Sequence, residues 1–352
     1  MAHILNLTRD DPVVHLKAYG GVQIKGIDQP EVICEIDAPQ LATLVEENGH
    51  VYVTVNSACH LNVPVKSSIE IERGMGSLYI DHVSGGINIE KVLGNLVLIN
   101  VDHAVVGKVG GNFSIRKAAG HIQVDKVAGS LTIDDVQSFE CAKVGGNCIL
   151  RNIHGDCRID KAGGRCLAQD LTGLATFSKF GGSLKARKVT LGESVKVGGN
   201  IELISCIFAS DLGLYAGGNV AVALLKDQDD LMFKLRSGGE NIKIKAHGDD
   251  LEIRDGEYDF QVGEGSRTLT IAAGGSVSLM ESPGPGEDLI GDLSERFTFE
   301  ESAFSEMVQE RIDSAPRRAE AKVKAAEIRL GQIQERVEKR RGFKIDLGFN
   351  DQ

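Results

Sequence analysis

Between Ile69 and Val222 apolar and polar residues alternate in short runs, and each run ends at a glycine-containing corner. One stretch places apolar side chains at Ile122, Val124, Val127, Leu131, Ile133 and Val136. The next repeats them as Phe139, Cys141, Val144, Cys148, Leu150 and Ile153. Alternation with period two predicts strands that bury one face. The last glycine of each corner falls at Gly76, Gly94, Gly111, Gly129, Gly146, Gly164, Gly182, Gly199 and Gly218, a nearly constant interval that random glycines would not keep. Weaker half-coil glycines at Gly86, Gly120, Gly155 and Gly173 divide the unit again, giving at least two strands per turn. A mainly β fold follows, predicted to be a right-handed parallel β-solenoid with 17–18-residue coils whose equivalent residues stack about 4.8 Å apart.

Once the register is set by glycine, two further columns emerge. A corner column reads Asn95, Asn112, Asn147, Asn200 and Asn219, with Ser77, Ser130, Arg165 and Ser183 at the remaining turns. Asparagine suits such corners because it tolerates left-handed backbone and hydrogen-bonds along a stack. Three residues before each register glycine stands a basic residue: Arg73, Lys91, Lys108, Lys126, Lys143, Lys161, Lys179 and Lys196. Stacked in register, these eight make a candidate anion-binding column for a polyanion, an acidic partner or the acidic face of another copy. Glu72, Glu90, Asp125 and Asp160 directly precede members of the column and are expected to offset part of its charge. The competing interpretation is a solvated corner copied along with the repeat. No aromatic residues alternate with the lysines, which argues against single-stranded nucleic acid.

The pattern changes at both ends. In residues 1–68, Val32–Ile36 and His50–Val55 alternate like strands without the glycine grid, and they are expected to cap the stack. The repeats span 69–281, with looser spacing after Gly218. Residues 282–293 (SPGPGEDLIGDL) form a linker. Residues 294–342 have helical periodicity. Thr298 and Glu301 make a capping box before Phe304, Met307, Val308 and Ile312, and Ser314 and Pro316 suit the start of a second helix. There Ala319, Val323, Ala326, Leu330, Ile333 and Val337 alternate steps of four and three, a short heptad seam for self-association or for folding back on the solenoid. Residues 343–352 form a tail or a last strand.

Composition narrows the function classes. Of 352 residues 42 are glycine and only 7 proline, which fits repeated tight corners better than flexible linkers. A net charge of −11 disfavours general affinity for nucleic acid or anionic membranes. The start, MAHILNLTRDDPVVHLK, lacks a basic segment followed by an apolar one, and no run is long enough to span a bilayer, so a cytoplasmic location is expected. Seven cysteines (Cys34, Cys59, Cys141, Cys148, Cys157, Cys166 and Cys206) point to reduced thiols. Cys148 and Cys166 share one repeat position with Cys157 half a coil between them, and without Cys-x-x-Cys or Cys/His ligand spacing they are expected to be core thiols. The acids scatter over the coils; Asp227, Asp229, Asp230, Asp249 and Asp250 are expected in loops. No phosphate loop, dinucleotide fingerprint or nucleophile elbow is present. No cofactor or metal is implied, and a non-catalytic protein is expected.

Residues 60–98, HLNVPVKSSIEIERGMGSLYIDHVSGGINIEKVLGNLVL, resemble the bacterial putative-adhesin β-solenoid family. The likeness is carried by Val63-Pro64 and the repeats around Gly76, Gly86 and Gly94, and it covers roughly residues 15–280. It implies the solenoid fold and a surface-adhesion role, from which this chain departs by the absence of a signal peptide. Bactofilins, cytosolic β-helices that polymerise, are similar in coil length but generally lack a long helical C-terminal segment. Together these features favour a non-catalytic rigid scaffold that associates with itself or docks another protein through its helical C-terminal segment; the alternatives are an adhesin-like module that binds an extended anion along the Arg73–Lys196 column and a bactofilin-like cytoskeletal polymer.

Overall fold

The computed structural model describes residues 2–282 apart from Thr8, Ala38, Asp227, Asp229 and Asp255. Among them the chain is almost entirely β, joined into one 29-stranded sheet system with a short 3-10 turn at Pro39–Leu41. From Ser68 to Leu224 the ladders are parallel, and each strand pairs with its equivalents in the preceding and following repeats. Leu96 pairs with Leu78 on one side and Phe113 on the other, and Ile87 with Ile69 and Ala104. Each layer therefore contributes one strand to a first stack, turns at its Gly-Gly corner, and contributes another to a second stack.

The buried side chains of both stacks form one cluster running from Val14 to Leu279. Within a strand the burial alternates, as in Leu231–Ser237. A rung of each middle layer adds several Leu, Ile, Val or Phe side chains, each worth about 1.5–3 kcal/mol when fully buried. Phe177 and Phe180 meet edge to face within it, their rings 5.7 Å apart.

The corners show why the repeat needs glycine followed by asparagine or serine. The Oδ1 of Asn95 accepts a hydrogen bond from the Asn112 N–H at 2.9 Å, and the Oδ1 of Asn112 accepts one from the Ser130 N–H at 2.8 Å. The same bond joins Asn147 to Arg165 and Asn200 to Asn219. A Cβ added at Gly111 would collide with the Asn95 Oδ1, so the side chain that links two coils occupies the space a larger residue would need. The expectation of left-handed asparagines at the corner is corrected: these residues keep negative φ. The left-handed column lies in the second stack, at His82, Asn100, Lys117, Asp135, Asn152, Asp170, Lys188 and Ser205, with φ between 49° and 61°.

At the two ends, layer order departs from chain order. Residues 13–27 lie between 68–83 and 50–64, so the later segment is the outer one. Gly20 takes the place of a corner glycine there, since a Cβ on Gly76 would meet its carbonyl group at 2.5 Å. The glycine grid thus begins at Gly20, well before the point in the sequence where its regular spacing starts. At the other end, 269–281 lies between 212–224 and 231–246. Both outer layers are covered by antiparallel strands. Glu31–Glu35 and Ala42–Glu47 lie on one, and Asp249–Ile253 and Glu257–Val262 on the other. Asp249 and Asp250 are therefore strand residues and not loop residues, while Asp227 and Asp229 lie outside the described residues.

Candidate functional site

In the first stack the alternation breaks once per strand. Ile87–Val92 buries Ile87, Ile89 and Val92 but exposes Glu90 and Lys91 in succession. The break turns the basic residue outward next to the corner in every coil. The ladder pairs Lys91 with Lys108, Lys108 with Lys126, Lys126 with Lys143, Lys143 with Lys161, Lys161 with Lys179 and Lys179 with Lys196. Arg73 occupies the same place one layer before Lys91, next to the paired Gly74 and Val92. All eight are exposed.

One further member escapes the regular spacing. Lys17 pairs with Arg73, extending the column into the layer of residues 13–27. It stands three residues before Gly20, as the rule demands, but several coil lengths away from Arg73 along the chain. Its signal was the Gly-Gly step at 20–21 followed by alternating Val22 and Ile24. Beyond Lys17 the ladder meets Thr54, and beyond Lys196 it meets Tyr215.

The expected charge compensation is not made by direct pairing. Among the described residues none of Glu72, Glu90, Asp125 and Asp160 forms an ion pair with the column, and no other acid does. Asp160 instead binds Arg158 at 2.9 Å. Neighbouring ammonium groups on adjacent rungs repel one another, and flexible stems relieve this only in part.

A groove of about 530 Å³ opens where the column ends. Lys179, Lys196 and Tyr215 stand on its wall, and Gly181, Gly198, Gly217 and Gly274 lie along it. The Lys196 Nζ sits 5.8 Å from the centre of the Tyr215 ring, within cation–π range. The next rung after Tyr215 is Ala272, whose small side chain leaves the groove open.

The cysteines lie inside. All seven are buried free thiols, and Cys148 pairs with Cys166 in the ladder. Desolvation pushes Cys141 and Cys206 up to about 12 and raises Cys157 and Cys166 as well. The hydrogen bond to Cys34, with burial second, raises Cys59. Thiols held protonated in this way are poor nucleophiles. Among the described residues no group of three His, Cys, Asp or Glu side chains could hold a metal ion.

A histidine cluster near the first end had no sequence signature, because its members come from three separate segments. His15 lies 2.8 Å from His50 through Nε2 and 3.0 Å from Glu70 through Nδ1, with Tyr52 stacked on its ring. No serine, threonine or cysteine is bonded to it in the described residues, so it offers a relay without a nucleophile. The seam residues Ala319, Val323, Ala326, Leu330, Ile333 and Val337, with the rest of the expected helical segment and tail, lie outside the described residues. No helix among the described residues is long and apolar enough to cross a membrane.

No family profile matches the chain, and no curated protein matches it. Among solved structures, the chain is similar to a putative adhesin from Bacteroides fragilis at 8% identity. That match covers 80% of this chain and 96% of that one, with a TM-score of 0.27. A putative cell adhesion protein from Clostridium sporogenes matches at 11% identity over 80% of this chain and 99% of that one, with a TM-score of 0.18. Likenesses at these scores carry no weight for fold or role.

Proposed function

We propose that this chain is a non-catalytic binding rod, a right-handed parallel β-solenoid that holds an extended polyanion along the basic column from Lys17 to Lys196. The observation that supports it most is the column itself: nine basic residues on successive rungs, exposed and without an acidic partner among the described residues. A self-repelling line of charge gains most from a ligand that carries a matching line, because every rung neutralised also relieves its neighbours. The groove beside Lys179, Lys196 and Tyr215 would take an end group or a ring of that ligand. An adhesin-like role on anionic glycan is one setting for such chemistry.

The test is titration of heparin and of inorganic polyphosphate into the full chain and into a Lys126→Glu, Lys143→Glu, Lys161→Glu variant. Binding that weakens at least tenfold in the variant, with a smaller dependence on salt, is the expected result. Equal binding by both proteins, or none by the unaltered chain, would remove the proposal.

A second reading comes from the heptad seam, through which two copies would associate as a scaffold. Light scattering should then show the full chain as an oligomer and a Leu330→Asp, Ile333→Asp variant as a monomer. End-to-end polymerisation of the bactofilin type is disfavoured by the antiparallel strands that cover both ends, Ala2–Asn6 and Ala42–Glu47 at one and Asp249–Ile253 and Glu257–Val262 at the other.

A further inference from the structure

The basic column is not uniform along the rod. The first-stack strands that hold Arg73, Lys91, Lys126 and Lys143 each carry an acid of their own: Glu70 and Glu72, Glu90, Asp125 and Glu140. Toward the groove this opposition ends. Lys179 shares residues 174–180 with no acid, and Lys196 shares Val195–Val197 with none, Glu193 standing outside that strand across a bend. The Asp160 beside Lys161 is held by Arg158 at 2.9 Å. Positive charge therefore stands unopposed on three successive rungs. Lys17 and Lys108 also lack an acid in their strands, but the rungs next to each carry one.

The corner position two residues after each basic residue changes in the same direction. In the first layers it carries the exposed side chains of Tyr19, Met75 and Leu93. From Gly145 it is bare, through Gly163, Gly181, Gly198 and Gly217 to Gly274. The N–H groups of Gly181, Gly198 and Gly217 bond to the preceding layer, but their carbonyl oxygens accept no hydrogen bond from a described residue. A Cβ on Gly217 would meet the Gly198 carbonyl oxygen, so the track has no room for side chains. The floor of the groove is thus a row of unpaired acceptors at the foot of Lys179 and Lys196. Tyr215 stands at the end of the row, its ring laid over Gly213, where an added Cβ would run into it.

These three kinds of group ask for different things of one ligand. The ammonium groups attract an anion, the carbonyl oxygens need hydroxyl or N–H donors, and the Tyr215 face takes a flat, weakly polar surface. Polyphosphate brings charge without a ring or an array of donors. Single-stranded nucleic acid stacks on several aromatic platforms, and this ladder holds one. A sugar acid supplies charge, hydroxyl donors and the face of a ring together. We infer, building on the anion-binding reading above, that the ligand is an acidic glycan anchored at the Lys161–Tyr215 end of the column. Its carboxylate or sulfate groups lie on Lys161, Lys179 and Lys196, its hydroxyls donate to the carbonyl oxygens of Gly181 and Gly198, and one pyranose ring rests on Tyr215.

Calorimetric titration of the full chain with a heparin tetrasaccharide, with tripolyphosphate and with a thymidine tetranucleotide tests this. The span from Lys161 to Tyr215 is about 14 Å at about 4.8 Å per rung, within reach of the tetrasaccharide. It should bind about tenfold more tightly than either comparator. Lys179→Gln with Lys196→Gln should weaken it about tenfold, and Arg73→Gln with Lys91→Gln by less than about twofold. Tyr215→Ala should weaken the tetrasaccharide about fivefold and leave tripolyphosphate within about twofold. Gly213→Ala should act like Tyr215→Ala, because it displaces the ring without removing it; its ladder partner Thr270 shows that the position accepts a side chain, and an unchanged far-ultraviolet spectrum would confirm folding. The inference is overturned if either comparator binds as tightly as the tetrasaccharide, if the Arg73 and Lys91 pair matters as much as Lys179 and Lys196, or if Tyr215→Ala changes nothing. Should polymeric heparin still bind and depend on Lys126, Lys143 and Lys161, those results remove only the anchored glycan site. Should polymeric heparin and polyphosphate both fail to bind the unaltered chain, the anion-binding reading falls and this inference with it.

Discussion

The middle layers and the two ends are made of the same strands, yet they stack by different rules. Between 68 and 224 every layer rests on its sequence neighbour, and each rung, corner bond and buried side chain repeats. At each end one segment slips in between two others, 13–27 at one and 269–281 at the other. Antiparallel strands then cover the outermost layer. The middle gains from uniformity, since one set of side-chain sizes fits every rung. The ends meet another need, because an open parallel edge would invite further strands.

The largest effect that separates the two regions should come from emptying a rung. Phe177→Ala in the middle removes a fully buried ring and its contact with Phe180, and should cost about 4 kcal/mol in equilibrium unfolding by denaturant. Phe260→Ala strips a ring from the covering strand Glu257–Val262, where it packs against Phe233. It should loosen amide protection across 249–262 and shift the main transition far less. Equal losses at both positions would mean that the ends and the middle unfold as one unit.

A corner change should come next. Gly111→Ala places a carbon against the Asn95 Oδ1 and the Gly94 carbonyl oxygen, and should lower stability by about 3 kcal/mol. Gly248, in the turn of the covering hairpin, has a φ of 88° with nothing within 4 Å of an added carbon. Gly248→Ala should therefore cost only its backbone strain, about 1 kcal/mol. Thermal unfolding of the two variants would show whether crowding or left-handed backbone accounts for glycine in each region.

The smallest effect is a pH dependence of the middle. Cys141 and Cys206 ionise near 12 when folded and near 9.0 when unfolded, so above pH 9 the unfolded chain releases protons that the folded chain retains. Stability is full below pH 9 and falls as pH rises toward 12, by on the order of 1 kcal/mol for each of the two thiols at pH 10. Denaturant titrations at pH 7.5 and 10 should show that loss, and Cys141→Ala should reduce it by about half of the part due to this pair. An identical pH dependence in the variant would rule the thiol out as its source.

Much of the middle was legible because spatial neighbours there are sequence neighbours at a fixed offset. The basic residues from Arg73 to Lys196, the apolar rungs and the buried position shared by Cys148 and Cys166 all follow from one period. Lys17 was not legible, since its partner Arg73 lies far along the chain, across the excursion that builds the first end. Nor were the bonds from His15 to His50 and Glu70, which join three segments. The acids beside the lysines were visible as neighbours, but adjacency in a strand did not make them ion-pair partners.

By itself, the sequence determined which residues turn inward, where the chain bends and how far apart equivalent rungs lie along the chain. Those features are local, set by alternation and by glycine at crowded corners. Only the tertiary structure decided which layer lies outermost, that Lys17 joins the column, and that His15 meets His50 and Glu70. Each of these depends on where a segment distant in sequence comes to rest, and a periodic pattern of side chains fits several such placements equally well until packing and the covering of open edges select one.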